Sequence, residues 1–88
     1  MKISIDHAKD TLVGWDIKVS VQADAGESIA HVEVRVNDFP EVRDTPSDAL
    51  NSWEQLIRQK GVFPGDNKVE VLVSDQDDKE TRALQKWS

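Results

Sequence analysis

Alternation of apolar and polar residues predicts three β-strands in this chain. Apolar residues occupy every second position between residues 13 and 23, and the same alternation returns at residues 30–36 and 69–73. A period of two places successive apolar side chains on one face of an extended strand. Each segment is therefore predicted to be an amphipathic strand with one buried face.

The two ends of the chain predict further strands. Ile3 and Ile5 indicate a short first strand, and residues 80–87 fit a last strand that carries Ala83 and Trp87 on one face. The same last segment has fair helix propensity, so a short helix stays open there. Near the middle, the Asn37-Asp38-Phe39-Pro40 sequence is expected to end a strand, because proline lacks the N–H group that a ladder needs.

A helix is predicted over residues 46–60. Thr45 is the expected N-cap, Pro46 takes the first helical position, and Asp48 has the spacing of a capping box. Apolar residues then recur at intervals of three and four; they are Ala49, Leu50, Trp53, Leu56 and Ile57. Gly61 is a natural C-terminal stop. The predicted order of elements is β-β-β-α-β-β.

Composition narrows the range of partners. The 88 residues predict a single domain, residues 1–88, whose 11 Lys and Arg against 17 Asp and Glu give a net charge of −6. Nucleic acid and anionic membranes attract basic surfaces, so neither is an expected partner. The absence of cysteine excludes disulfides and thiolate metal sites. No apolar run approaches the roughly 18 residues of a membrane span.

Three segments resemble strands of bacterial immunoglobulin-like and fibronectin type III-like modules. Residues 29–38 are similar to the third strand of such modules, although Asp38-Phe39 stands where glycine is usual. Residues 65–75 are similar to the penultimate strand, and residues 81–87 correspond to the last. The resemblance implies a mainly β fold. Because a helix is predicted where the family has strands, we expect an immunoglobulin-like β-sandwich with one helix replacing a strand connection.

A two-layer α+β fold is the alternative architecture. In it, an antiparallel sheet packs one face against the single helix. A helix of about 15 residues is roughly 22 Å long and covers about three strands. Five strands would leave apolar surface uncovered, which favours the sandwich.

The sequence has no pattern typical of catalysis. It contains neither a Gly-x-Ser-x-Gly elbow nor a glycine-rich phosphate loop. His7 and His31 are expected to be solvated residues without a catalytic role. We therefore predict that the chain is not an enzyme and binds no organic cofactor.

An acidic turn is the one candidate metal site. Four carboxylates lie within six positions of this turn and are weak candidates for calcium ligands; they are Asp75, Asp77, Asp78 and Glu80. Calcium takes several oxygen ligands at about 2.4 Å, which carboxylates in one loop can supply. The turn lacks glycine and contains Lys79, so the other interpretation is a solvated hairpin loop.

The aromatic residues divide between core and surface. Trp15 and Trp53 lie in apolar stripes and are predicted to pack in the core. Trp87 is expected either to dock on the core or to be offered to a partner. Phe39 and Phe63 each precede a proline in loops beside the predicted helix. Together with Trp87 they are the candidate partner-binding residues.

These observations predict a non-catalytic structural or protein-binding module whose protein partner is unidentified. The resemblance implies a secreted, cell-surface or virion-associated module excised from a longer protein, whereas the lack of a signal peptide predicts a cytoplasmic stand-alone chain. The alternative is a small acidic inhibitor or immunity-type protein that neutralises a basic partner. Its surface would combine the acidic turn with Asp44, Asp48 and Asp66.

Overall fold

The computed structural model describes residues 1–10, 14–60 and 66–87. Within these ranges the chain forms seven strands and no helix. The strands are β1 (Lys2–Asp10), β2 (Gly14–Gln22), β3 (Ile29–Val36), β4 (Phe39–Asp44), β5 (Ser52–Lys60), β6 (Asn67–Asp75) and β7 (Glu80–Trp87).

The strands form two antiparallel sheets that pack face to face. Sheet A has the order β1-β2-β5, and sheet B has the order β4-β3-β6-β7. The chain changes sheet after β2, after β4 and again after β5. This arrangement confirms the expectation of a mainly β fold with two layers of strands.

The core lies between the sheets and is rich in valine. In the described part of the chain its buried apolar residues come from β2, β3, β5 and β6; they are Ile17, Val19, Val21, Ile29, Val32, Val34, Val36, Trp53, Ile57, Val69, Val71 and Val73. β-Branched side chains suit this position, because they pack well on a pleated surface. The alternation seen in the sequence therefore marks the inward face of each central strand.

The predicted helix over residues 46–60 is wrong. Residues Ser52–Lys60 form β5, which pairs with β2 from Trp15↔Gln59 to Gln22↔Ser52. Trp53 and Ile57 are four residues apart, a spacing that puts two side chains on one face of a strand as well as of a helix. The open edge of β2 decides between the two, because a strand there satisfies a row of backbone hydrogen bonds. Without a helix, the two-layer α+β alternative is wrong as well.

Strand β3 ends at Val36, before the Asn37-Asp38-Phe39-Pro40 sequence as expected, but the chain then turns back as β4, which was not predicted. Asn37 and Asp38 form a two-residue hairpin turn with φ values of 50° and 71°. Such turns need positive φ at both positions, which Asn and Asp tolerate better than most residues. Pro40 is accommodated because β4 is an outer strand of sheet B, where a missing N–H group costs no ladder bond.

The first strand is longer than the sequence indicated, and the last segment is a strand where the sequence also allowed a helix. The short strand expected around Ile3 and Ile5 runs over the whole of Lys2–Asp10. Glu80–Trp87 is a strand paired with β6, so the short helix considered for this segment does not form.

Candidate functional site

A hydrogen bond joins the two sheets at the β4/β5 side of the sandwich. The indole Nε1 of Trp53 donates to Oδ2 of Asp44 at 2.8 Å. Asp44 pairs with Val32 and therefore faces inward from the outer strand β4. The core position predicted for Trp53 is confirmed, since only 7% of the residue is exposed. Trp15 was predicted to share this role, but its side chain lies outside the described residues.

A second contact joins the sheets at the β1/β7 side. The ring of His7 stacks on Trp87 with 4.6 Å between centroids and 14° between planes. Nδ1 of His7 donates to Oε1 of Gln85 at 2.7 Å. His7 is therefore a partly buried residue at the seam, and the expectation that it is simply solvated is wrong. Trp87 docks against the sandwich in this way.

Of the three partner-binding candidates, the structure describes Phe39 and Trp87. Phe39 begins β4 after the hairpin turn and is 67% exposed. Phe63 lies outside the described residues. Trp87 is partly buried against His7. The proposed aromatic patch of these residues stays a prediction, and Phe39 is its exposed member in the described structure.

The connections after β2, β4 and β6 meet at one end of the sandwich, which we call the acidic loop end. It comprises residues 23–28, 45–51 and 76–79. Its exposed carboxylates are Asp24, Asp48, Asp77 and Asp78, and Lys79 lies beside them. Backbone hydrogen bonds hold the middle connection in place: Asn51 accepts from Ala23 N–H, and Leu50 accepts from Ile29 N–H, both at 2.8 Å.

The amino group of Met1 lies at the same end. It is 2.8 Å from Oδ2 of Asp24 and 3.0 Å from Oε1 of Glu27. Hydrogen bonds to these two carboxylates, Asp24 first, raise the pKa of the amino group. The same hydrogen bond holds the pKa of Asp24 below its usual range. The contact ties the start of β1 to the loop that follows β2.

Asp75 organises the turn between β6 and β7. Its Oδ1 accepts hydrogen bonds from the backbone N–H groups of Asp77 and Lys79, both at 2.9 Å, and only 7% of the residue is exposed. Asp78 completes the turn with a φ of 60°. This carboxylate therefore has a structural task that the sequence analysis did not assign to it.

Calcium binding by this turn stays a prediction. Among the described residues, no group of three or more His, Cys, Asp or Glu side chains is placed to hold a metal ion. If calcium binds the folded chain but not the unfolded chain, it raises the melting temperature. The prediction therefore requires a rise of the melting temperature when millimolar calcium replaces EDTA, and an unchanged value would remove calcium from consideration.

Two concavities on the described surface are partly open to solvent. One of 390 Å³ lies on the outer face of sheet A beside Ser4, Ser20 and Ser52. Another of 230 Å³ lies at the acidic loop end between Glu27 and Asp75. The described part of the chain has no helix long and apolar enough to cross a membrane.

On the outer face of sheet B, Glu33 lies between two arginines. Its Oε1 is 3.2 Å from Nε of Arg43 and 3.4 Å from Nε of Arg35. Burial by itself would raise the pKa of the Glu33 carboxyl, but the two guanidinium groups outweigh that effect and hold its pKa below the usual range. Both arginines are substantially exposed, and ion pairs at such positions contribute little to stability.

Comparison with known proteins supports the fold assignment. No protein-family model matches the chain, and no curated protein matches it. Among solved structures, it is similar to the fibronectin(III)-like modules of CbhA from Clostridium thermocellum, with a TM-score of 0.55 and 19% sequence identity. The match covers 97% of this chain and 92% of that chain. The chain therefore has the fold of a fibronectin type III-like module, and the resemblance inferred from residues 29–38 and 65–75 is confirmed.

Proposed function

We propose that the chain is a non-catalytic module that binds another protein through the acidic loop end. The observation that carries the proposal is the convergence of three connections on one end of a framework of two packed β-sheets. Loops that a rigid scaffold holds together are the usual contact surfaces of such domains. Here Asp75 fixes one connection and Leu50 and Asn51 fix another, so the surface is preorganised.

The placement of the histidines supports a role without catalysis. His7 is packed between the edges of the two sheets against Trp87 and Gln85. His31 lies on the outer face of sheet B, where its Nδ1 is 2.7 Å from Oγ1 of Thr45. The two rings thus belong to different surfaces. General acid–base chemistry needs a titratable group within hydrogen-bond reach of a substrate held in a recess, and here each ring nitrogen Nδ1 already contacts a side chain of the chain itself.

Removing charge from the acidic loop end tests the proposal. The variant combines Asp48→Asn, Asp77→Asn and Asp78→Asn; all three side chains are exposed, and asparagine suits the positive φ of Asp78. We expect immobilised wild-type chain to retain a protein from an extract of its source, and the variant to lose it. Quantitative mass spectrometry of the retained proteins is the measurement.

The matched control changes charge by the same amount elsewhere. Asp6→Asn, Glu41→Gln and Asp66→Asn alter exposed carboxylates away from the acidic loop end. This control should retain the partner. Equal retention by the control and the loop-end variant would contradict the proposed surface, and so would retention by neither.

A second candidate function is neutralisation of a basic partner, and the uneven distribution of charge favours it. In the described structure, four exposed carboxylates at the acidic loop end face two cations, Lys79 and the amino group of Met1, which pairs with Asp24. On the outer face of sheet A, the charges of the side chains that the structure describes cancel; they are Lys2, Lys18 and Arg58 against Asp6, Asp16 and Glu54. A concentrated negative surface accelerates association with a basic protein and loses that effect as ionic strength rises. A steep salt dependence of the association rate would support this candidate, and a flat one would leave the first.

A further inference from the structure

Strand β5 presents an open edge to solvent. It is an outer strand of sheet A, and in the described structure its ladder runs to β2 on one side only. The pairing with β2 is regular from Ser52 to Gln59, whereas the outer strand β4 carries Pro40 and adjoins an irregularity in its register. Proline and bulges are devices that protect sheet edges from pairing. Strand β5 has neither over this length.

The direction of the backbone groups along β5 follows from one hydrogen bond. The carbonyl of Asn51 accepts from Ala23 N–H in register with the β2–β5 ladder, so the backbone groups of residue 51 point towards β2. Successive residues of a strand point their N–H and C=O groups to alternate sides. Those of Glu54, Leu56 and Arg58 therefore point to the open edge. The side-chain amide of Gln55 reaches the carbonyl of Leu56 there at 3.4 Å.

Sheet B leaves room beside this edge. Gln55 shares the inward parity of Trp53 and Ile57, because it lies between them on β5 and opposite the buried Val19. Trp53 and Ile57 are buried, but Gln55 is exposed. Strand β4 of sheet B contacts β5 through the hydrogen bond between Asp44 and Trp53, and this contact lies three residues before Leu56.

We propose that two copies of the chain pair antiparallel through β5, with Leu56 opposite Leu56 of the second copy. This register places Glu54 opposite Arg58 of the second copy, and Arg58 opposite its Glu54. Leu56 is 52% exposed in the single chain, and pairing would cover it. Opposite charges and apolar residues are both favourable directly across a strand pair. The result is a continuous sheet made from sheet A of each copy.

Neighbouring registers lack this complementarity. Because backbone groups of even-numbered residues face the edge, only registers that oppose even-numbered residues form the ladder. In the proposed register the twofold axis that relates the two copies passes beside Leu56. Moving this axis by one residue along β5 sets Leu56 opposite Glu54 or Arg58 of the second copy. Shifting it by two opposes Glu54 to Glu54, or Arg58 to Arg58, and like charges directly opposite one another are destabilising. Because the described charges on the outer face of sheet A cancel, the net negative charge of the chain does not set the two copies against each other at the paired strands.

Disulfide trapping tests the pairing directly. The chain has no cysteine, so Leu56→Cys introduces a single thiol. Hydrogen-bonded antiparallel partners have Cα atoms about 5.5 Å apart, within the range of a disulfide. We expect Leu56→Cys to form a covalent dimer under mild oxidation. The control is Leu84→Cys, which replaces a leucine of similar exposure, 55%, on the outer face of sheet B. Equal cross-linking of the two variants would overturn the proposal.

Sedimentation equilibrium supplies a test without cysteine. We expect the wild-type chain to dimerise between micromolar and millimolar concentration, and Arg58→Glu to raise the dissociation constant about tenfold by opposing two glutamates at each pair. Adding Glu54→Arg to that variant restores opposite charges and should restore the dimer. A wild-type chain that stays monomeric throughout this range would overturn the proposal, as would a double variant no tighter than Arg58→Glu. Loss of the dimer leaves binding at the acidic loop end intact, so the two proposals fail separately.

Discussion

Replacing Trp53 by alanine is expected to lower the free energy of unfolding by about 3–5 kcal/mol, which is the usual cost of truncating a buried aromatic residue. Trp53 is 7% exposed and packs in the core with Val21 opposite it on β2. Truncation also removes the indole N–H group that donates to Asp44, so the Asp44 carboxylate loses its hydrogen-bond partner on the other sheet. Native domains are stable by about 5–15 kcal/mol, so this one change should remove a large part of the total. Urea denaturation followed by far-ultraviolet circular dichroism measures it.

Leu56→Ala is the matched control for this variant. The sequence placed Trp53 and Leu56 on the same buried stripe of a helix, whereas in β5 Trp53 faces the core and Leu56 is 52% exposed. At a concentration where the chain is monomeric, the Leu56 variant should lie within about 0.5 kcal/mol of wild type. An equal loss of unfolding free energy in the two variants would contradict the assignment of this segment to a strand.

Strict alternation was the signal that predicted the strands. The runs at residues 13–23, 30–36 and 69–73 became β2, β3 and β6 with their boundaries shifted by only one or two residues. These are inner strands, and many of their described inward-facing residues are buried, so a residue buried at every second position leaves a strong pattern. Outer strands bury fewer positions, and their patterns are weaker. Strand β4 therefore went unnoticed, and β5 was mistaken for a helix.

The error over β5 has an identifiable cause. Thr45, Pro46 and Asp48 favour a helix start, but the same residue types are common in irregular connections. The apolar spacing of Trp53 and Ile57 fits both a period of two and a period of 3.6. Local preferences were therefore ambiguous, and pairing with β2, whose paired residues lie 30 to 44 positions away in sequence, decided the outcome. Such a partner cannot be recognised from the segment itself.

The contacts that join the sheets were beyond sequence reasoning for the same reason. His7 and Gln85 are 78 residues apart, and nothing near either residue indicates the other. Asp75 is different, because a signal was present. It continues the alternation of Val69, Val71 and Val73, and so its side chain is set to face inward. The acidic composition of the turn suits a calcium site as well, so composition alone does not distinguish a metal ligand from a carboxylate that holds the turn.

Replacing Asp75 by alanine is expected to cost about 2–4 kcal/mol, because two hydrogen bonds to a carboxylate are lost and two backbone donors lose their acceptor. Oδ1 of Asp75 accepts from Asp77 and Lys79 at 2.9 Å, and the residue is 7% exposed. The free energy of unfolding measured in EDTA isolates this structural effect from any bound metal.

Two variants separate the acceptor from the charge. Asp75→Asn keeps a side-chain oxygen in the turn and should lose only about 1 kcal/mol, since a neutral acceptor forms a weaker bond than a carboxylate. Asp77→Ala removes an exposed carboxylate of the same turn and should lie within about 0.5 kcal/mol of wild type. Equal stability of the Asp75→Ala and Asp77→Ala variants would mean that the turn does not depend on the Asp75 carboxylate. A large loss for Asp75→Ala alone would mean that a single inward-facing carboxylate sets the shape of the β6–β7 connection, and with it part of the surface proposed to bind a partner.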